Sequence, residues 1–98
     1  MRLGIVGVAN ASMLPTYRHG DCLLVLYGVR RIRVGDVVLV RRPELLLVKR
    51  VAEVAADGSV TVLSDNALVG TDSRAFGPVP SEDVVARVLL RYWRRQRG

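Results

Sequence analysis

The sequence predicts a mainly β single domain, residues 1–98, built of short strands. Three observations predict it. Turn dipeptides recur at short intervals, the runs between them are rich in Val and Leu, and neither a Pro/Gly/Ser-rich linker nor an internal repeat divides the chain. Ninety-eight residues enclose a modest core and leave room for one active-site groove, not for a two-domain enzyme.

The first strand that this punctuation marks is Cys22–Tyr27, opened by the turn His19-Gly20-Asp21. Gly35-Asp36 opens a second strand at 37–41. Pro43 lacks an N–H for a ladder, so it belongs at the start of the next strand, 44–54, or outside it. Asp57-Gly58 joins that strand to 59–63 as a hairpin. The segment Val84–Trp93 carries two patterns. Val85, Val88, Leu89 and Tyr92 fit a helical stripe, whereas Val84, Ala86, Val88, Leu90 and Tyr92 fit one face of a strand, and the strand is preferred. The Arg-rich tail 94–98 is polar and needs no ordered structure.

Composition excludes several function classes. A chain that is 50% hydrophobic is not disordered, and no apolar run approaches the ~20 residues of a membrane-spanning helix. The first twelve residues carry a single Arg and no long apolar stretch, so they do not form a signal peptide. A soluble, cytoplasmic protein without a transmembrane helix is expected. Cys22 is the only cysteine and His19 the only histidine, which excludes an internal disulfide and a zinc module; neither metal nor cofactor is expected. A net charge of +6 suits nonspecific attraction to nucleic acid or to an anionic membrane. Three Tyr, one Trp and one Phe offer few stacking platforms, and no specific nucleic-acid partner is expected.

Of the fifteen Lys plus Arg, only Lys49 is a lysine. Alternation along the strand 44–54 puts Lys49 on a face with Leu45, Leu47 and Val51, while Arg50 shares the other face with Leu46 and Val48. An amine buried there without a carboxylate partner has a depressed pKa and can serve as a general base. The alternative is an edge-strand lysine whose amine reaches solvent. The candidate nucleophile is Ser12, in Asn10-Ala11-Ser12-Met13-Leu14-Pro15-Thr16, where Pro15 holds Leu14 extended. Its alternative is an ordinary turn serine. A base beside a serine hydroxyl is what makes that hydroxyl nucleophilic.

Four successive boxes resemble the signal peptidase I family of serine/lysine peptidases. They are Ser12-Met13-Leu14-Pro15-Thr16 with Gly20-Asp21 and the apolar strand that follows; Gly35-Asp36-Val37-Val38; Lys49-Arg50-Val51; and Asp65-Asn66 with Asp72-Ser73-Arg74 and Gly77-Pro78-Val79-Pro80. The single lysine falls where that family demands lysine, and Arg cannot replace it because a guanidinium does not deprotonate. The resemblance implies a signal-peptidase-like core of short, mostly antiparallel strands and a serine endopeptidase that removes an N-terminal leader from a precursor protein. Ser12 would attack the scissile carbonyl, Lys49 would act as base, and the Ser12 N–H and Asn10 would form the oxyanion hole. Asp72 and Arg74 are implied as a bracing pair with Ser73 between them, and Asp65 and Asn66 as residues that order the adjoining loop. Met13 and Leu14 either line a substrate groove or pack. In one respect the chain departs from the pattern. Two residues before Asp72, where many relatives carry a serine that orients the lysine, it has Gly70, with Thr71 as the adjacent substitute.

With eleven residues before Ser12 and none of the family's usual membrane helices there, the sequence is most similar to soluble members, the nickel-type superoxide dismutase maturation proteases. The implied partner is then a leader-bearing nickel superoxide dismutase precursor. The charge of the tail leaves peripheral contact with a membrane open. Two other readings compete. One is the autopeptidase domain of SOS-response repressors, which should lack the last box; the other is a noncatalytic basic β-barrel that binds nucleic acid, with steeply salt-dependent affinity. His19 as base and Cys22 as nucleophile are weighed and set aside, as a turn residue and a strand residue.

Overall fold

A computed structural model describes residues 2–8, 13, 16–29, 31–43, 45–66, 68 and 72–93. Six strands form one sheet: β1 (Arg2–Gly7), β2 (Cys22–Tyr27), β3 (Val37–Arg42), β4 (Leu45–Val54), β5 (Val60–Leu63) and β6 (Val84–Trp93). Their order is β1-β2-β6-β3-β4-β5, and every pairing is antiparallel. A one-turn helix, α1 (Ser73–Phe76), and a 3-10 turn (Ser81–Asp83) lie between β5 and β6. The mainly β expectation holds. Among the described residues no helix is long and apolar enough to cross a membrane.

Both Gly-Asp turns are built alike. Gly20 and Gly35 take φ of 92° and 94°, a left-handed conformation that side chains disfavour. The aspartate that follows then accepts a backbone N–H three residues back, Arg18 to Asp21 at 2.9 Å and Arg33 to Asp36 at 2.8 Å. The second turn docks on β4 through Gly35 N–H to the Val51 carbonyl and Val51 N–H to the Asp36 carbonyl, each 2.8 Å. This fixes β3 and β4 in the register that pairs Val38 with Lys49.

β1 is the strand that the sequence punctuation does not mark. It pairs along its length with β2 from Arg2↔Tyr27 to Gly7↔Cys22. Its Leu3 and Ile5 stay 60% and 55% exposed, so the strand lacks the burial pattern that announces one. Gly4 is required by close approach, since a Cβ there would lie 2.5 Å from the Tyr27 ring. The ambiguous segment at the C-terminal end is a strand because it fills the centre of the sheet, with β2 on one side and β3 on the other. Helical geometry would leave both neighbours' backbone groups unpaired.

The core is mostly valine, as suits pleated surfaces. One cluster joins Val38, Val40, Val51, Val60, Val62 and Val79; a second joins Val8, Leu23, Val25, Leu39 and Ala86. β3 supplies both clusters through alternate residues, Val38 and Val40 to the first and Leu39 to the second, so all three are buried.

Candidate active site

Lys49 sits in the middle of β4 and only 1% of it is exposed. The amine therefore does not reach solvent. Its side chain lies on the valine-rich face with Leu47 and Val51, opposite Val38 of β3. Among the described residues no carboxylate forms an ion pair with it, and Nζ donates to Ser64 Oγ at 2.9 Å. Desolvation lowers its pKa from the usual 10.5; the more distant Asp72 carboxylate opposes this and Arg74 adds to it.

The register across β4 and β5 selects that partner. At the hairpin end the pairs are Val54↔Val60 and Glu53↔Thr61; beyond an irregularity at Ala52 they become Val51↔Val62 and Arg50↔Leu63. The extra residue is a β-bulge. Continued by one step, this register sets Ser64 against Lys49. A regular ladder would set Asp65 there. Asp65 instead faces the other side with Arg50, whose Nε and Nη2 hold its two oxygens at 2.8 and 2.9 Å. This two-pronged hydrogen bond keeps the Asp65 carboxyl below its usual range.

Asp65 also accepts a hydrogen bond from Thr16 Oγ1. The Arg50 guanidinium in turn reaches the Gly35 carbonyl at 2.8 Å. Thr16 lies four residues after Ser12, and Tyr17 N–H closes a turn onto the Met13 carbonyl at 2.9 Å. The segment that follows Ser12 is thereby tied to the loop after β5. Met13 itself is 1% exposed, so it packs rather than facing an open groove.

Asp72 is buried, 3% exposed, and gathers three backbone or side-chain partners. It caps α1 by accepting from Arg74 N at 3.0 Å, takes Ser64 N–H at 2.8 Å, and forms a forked ion pair with the Arg74 guanidinium at 2.7 and 3.1 Å. The Arg74 bond, then those from the Ser64 and Arg74 backbone, hold its carboxyl far below the usual range despite burial. Ser73 Oγ accepts from Val62 N at 2.9 Å and fastens α1 to β5. Asn66 Oδ1 accepts from Leu68 N at 3.2 Å within the loop. His19 is exposed in its turn and Cys22 is half-buried in β2. Ser12, Asn10, Leu14, Gly70, Thr71 and the tail 94–98 lie outside the described residues. Among the described ones no group of three His, Cys, Asp or Glu residues is placed to hold a metal ion.

This arrangement offers a desolvated amine beside a neutral hydroxyl, braced by two aspartate–arginine pairs. A family model described as Peptidase S24-like matches residues 2–77. The chain belongs to the Peptidase S24-like family. A mitochondrial ATP-independent inner membrane protease subunit 1a from Arabidopsis thaliana is 36% identical over 114 residues, which cover 88% of this S24-like chain and 68% of the relative. The mitochondrial inner membrane protease subunit 1 of Xenopus tropicalis is 30% identical, over 91% of the chain and 68% of the relative. The chloroplastic thylakoidal processing peptidase 1 of Arabidopsis thaliana is 25% identical over 88% of the chain, which spans 41% of that longer protein.

Sequence reasoning did not find Ser64, Thr16 or Arg50 as members of this S24-like site. A two-residue turn at Asp57-Gly58 pairs Ala56 with Ser59, and regular pairing from there sets Asn66 opposite Lys49. Ser64 takes that place because the hairpin closes instead with Ala55 N–H on the Ser59 carbonyl and because β4 bulges at Ala52, and neither leaves a mark in the residue types.

Proposed function

We propose that this chain is a serine endopeptidase with a Ser12/Lys49 pair that removes an N-terminal leader from a precursor protein. The observation that carries the reading is the state of Lys49. It is the chain's only lysine, sealed from solvent, lowered in pKa by burial and hydrogen-bonded to a hydroxyl instead of a carboxylate. Such an amine gives up its proton at lower pH than a salt-bridged lysine does, which suits it to act as a base. Membership of a peptidase family counts against the nucleic-acid-binding alternative, and relatives named as a membrane protease and a processing peptidase favour leader removal over the repressor-type one.

In this reading neutral Lys49 takes the Ser12 hydroxyl proton as Oγ attacks the scissile carbonyl. The resulting ammonium returns that proton to the departing amine, leaving an acyl ester on Ser12. Lys49, neutral again, deprotonates the water that releases the acid half. The oxyanion is held by the Ser12 N–H and the Asn10 side chain. Losing one such donor costs about 3 kcal/mol of transition-state stabilisation, so Asn10→Ala should lower kcat on the order of 10²-fold with little effect on thermal stability. Unchanged turnover in that variant would remove Asn10 from the oxyanion hole.

For the substrate we propose a leader-bearing nickel superoxide dismutase precursor, on the strength of the motif resemblance. The test incubates that precursor with the purified protein and with its Ser12→Ala variant, and follows product mass and N-terminal sequence. One leaderless product, formed by the wild type and not by the variant, is expected. Cleavage that survives Ser12→Ala would reject the nucleophile, and an intact precursor in both reactions would reject the substrate.

A further inference from the structure

We infer that Ser64 is the positioning residue for the Lys49 amine, fixing the direction in which its lone pair points. The inference deepens the proposed Ser12/Lys49 chemistry and rests on Lys49 being the base.

A lysine amine turns freely about its last bond. A neutral amine is a useful base only when its single lone pair faces the proton to be taken, so at least one of its N–H bonds has to be anchored elsewhere. Ser64 Oγ is that anchor, 2.9 Å from Nζ, with both side chains buried. Ser64 is in turn held in place, since its backbone N–H is bound at 2.8 Å by Asp72, which Arg74 and the cap of α1 hold still. A line of contacts therefore runs from the helix cap to the amine.

The chemical character of the anchor matters as much as its place. A carboxylate opposite Lys49 would stabilise the ammonium and raise its pKa, which would disable the base. The bulge at Ala52 turns Asp65 away towards Arg50 and brings a neutral hydroxyl to the amine instead. Among the described residues the charged groups that remain in reach are Asp72, which favours the ammonium, and Arg74, which opposes it; Val38 and Val62 from the flanking strands are apolar. Ser64 thus orients Lys49 without fixing its charge, and supplies a hydroxyl that Gly70 cannot.

The single lysine makes the test clean, because lysine labelled with carbon-13 at Cε reports one side chain. The titration of Lys49 is followed by NMR in the wild type, Ser64→Ala, Ser64→Thr and Ser64→Cys, alongside kcat and KM for the leader-bearing precursor across pH. In Ser64→Ala the ammonium loses an acceptor, so Lys49 should titrate at lower pH and the acid limb of kcat/KM should move down with it. The plateau of kcat should fall at least about ten-fold while KM holds. Ser64→Thr, which keeps the hydroxyl, should retain activity; Ser64→Cys, of similar size but a weak acceptor, should not, and this contrast stands even if the alanine variant fails to fold. A folded Ser64→Ala protein with unchanged kcat and an unchanged Lys49 titration would overturn the proposal, as would equal activity in the Thr and Cys variants. Lys49→Arg separates the two readings. If it still cleaves, Lys49 is not the base and both readings fall; if it is inactive while Ser64→Ala is not, only the role of Ser64 falls.

Discussion

Lys49→Met is expected to reduce kcat/KM for the precursor by about 10³-fold or more while the protein stays folded. The loss follows from removing the amine proposed to take the Ser12 proton. The retained fold follows from the surroundings. Lys49 stands among Val38, Leu47 and Val51, and a methionine of nearly the same length fits that lining without the cost of desolvating an ammonium. Stability then acquires a diagnostic pH dependence. Burial puts the folded-state pKa of Lys49 below the usual 10.5, so between the two values the unfolded chain binds the extra proton. Unfolding free energy therefore rises with pH through that window in the wild type and lacks that rise in Lys49→Met. Urea unfolding between pH 7 and 9.5 measures the difference, below the range where Tyr17, raised from its usual 10.0 by burial, acts in the opposite sense. Parallel stability curves for the two proteins would mean that Lys49 is not desolvated. Full activity in the methionine variant would mean that it is not the base.

Much of this fold was legible because its strands are bounded by turns whose chemistry is local. A glycine in left-handed conformation followed by an aspartate that caps the turn is a four-residue event, Arg18 to Asp21 and Arg33 to Asp36, visible at Gly20-Asp21 and Gly35-Asp36 before any tertiary contact is known. β1 escaped because nothing local marks it. Its pairing with β2 and the approach of the Tyr27 ring to Gly4 make it a strand, and both partners lie some twenty residues away. The choice of strand over helix for β6 has the same origin, since two neighbouring strands decide it and not its own periodicity.

In the site, composition singled out Lys49 because it stands alone among arginines, and alternation gave its face. What surrounds it depended on register. A two-residue period predicts faces reliably but cannot foresee an inserted residue, and the bulge at Ala52 exchanges Ser64 and Asp65 between the two faces of the sheet. One unpaired residue thus separates an amine held by a hydroxyl from an ammonium paired with a carboxylate. The same exchange frees Asp65 to join Arg50 and Thr16, which draws the segment after Ser12 towards β4.

Asp72→Ala is expected to cost about 3 kcal/mol of stability, enough to lower the melting temperature of a domain this size by more than about 10 °C. Three losses coincide. The buried Ser64 N–H is left without its acceptor, α1 loses its cap, and Arg74 loses its partner. The last loss counts least because the Arg74 side chain is 53% exposed and water takes over its hydrogen bonds. Asp72→Asn keeps one acceptor oxygen, enough for either the cap or the Ser64 N–H, and turns an NH2 donor towards the other, so it should recover only part of the loss. The sign of the pH dependence distinguishes a carboxylate effect from mere packing. The folded-state pKa of Asp72 lies far below its ordinary 3.8, so its stabilisation is complete above about pH 4 and is lost as pH falls towards the folded value. The gap in unfolding free energy between wild type and Asp72→Ala should therefore narrow from pH 5 down to pH 2, while Asp57 and Asp65, also depressed, contribute equally to both proteins. Cleavage should fall with stability in this variant, because Ser64 loses the bond that holds it beneath Lys49. A gap that stays constant through the acid range would assign the loss to packing, and would separate the brace around Asp72 from the chemistry at the amine.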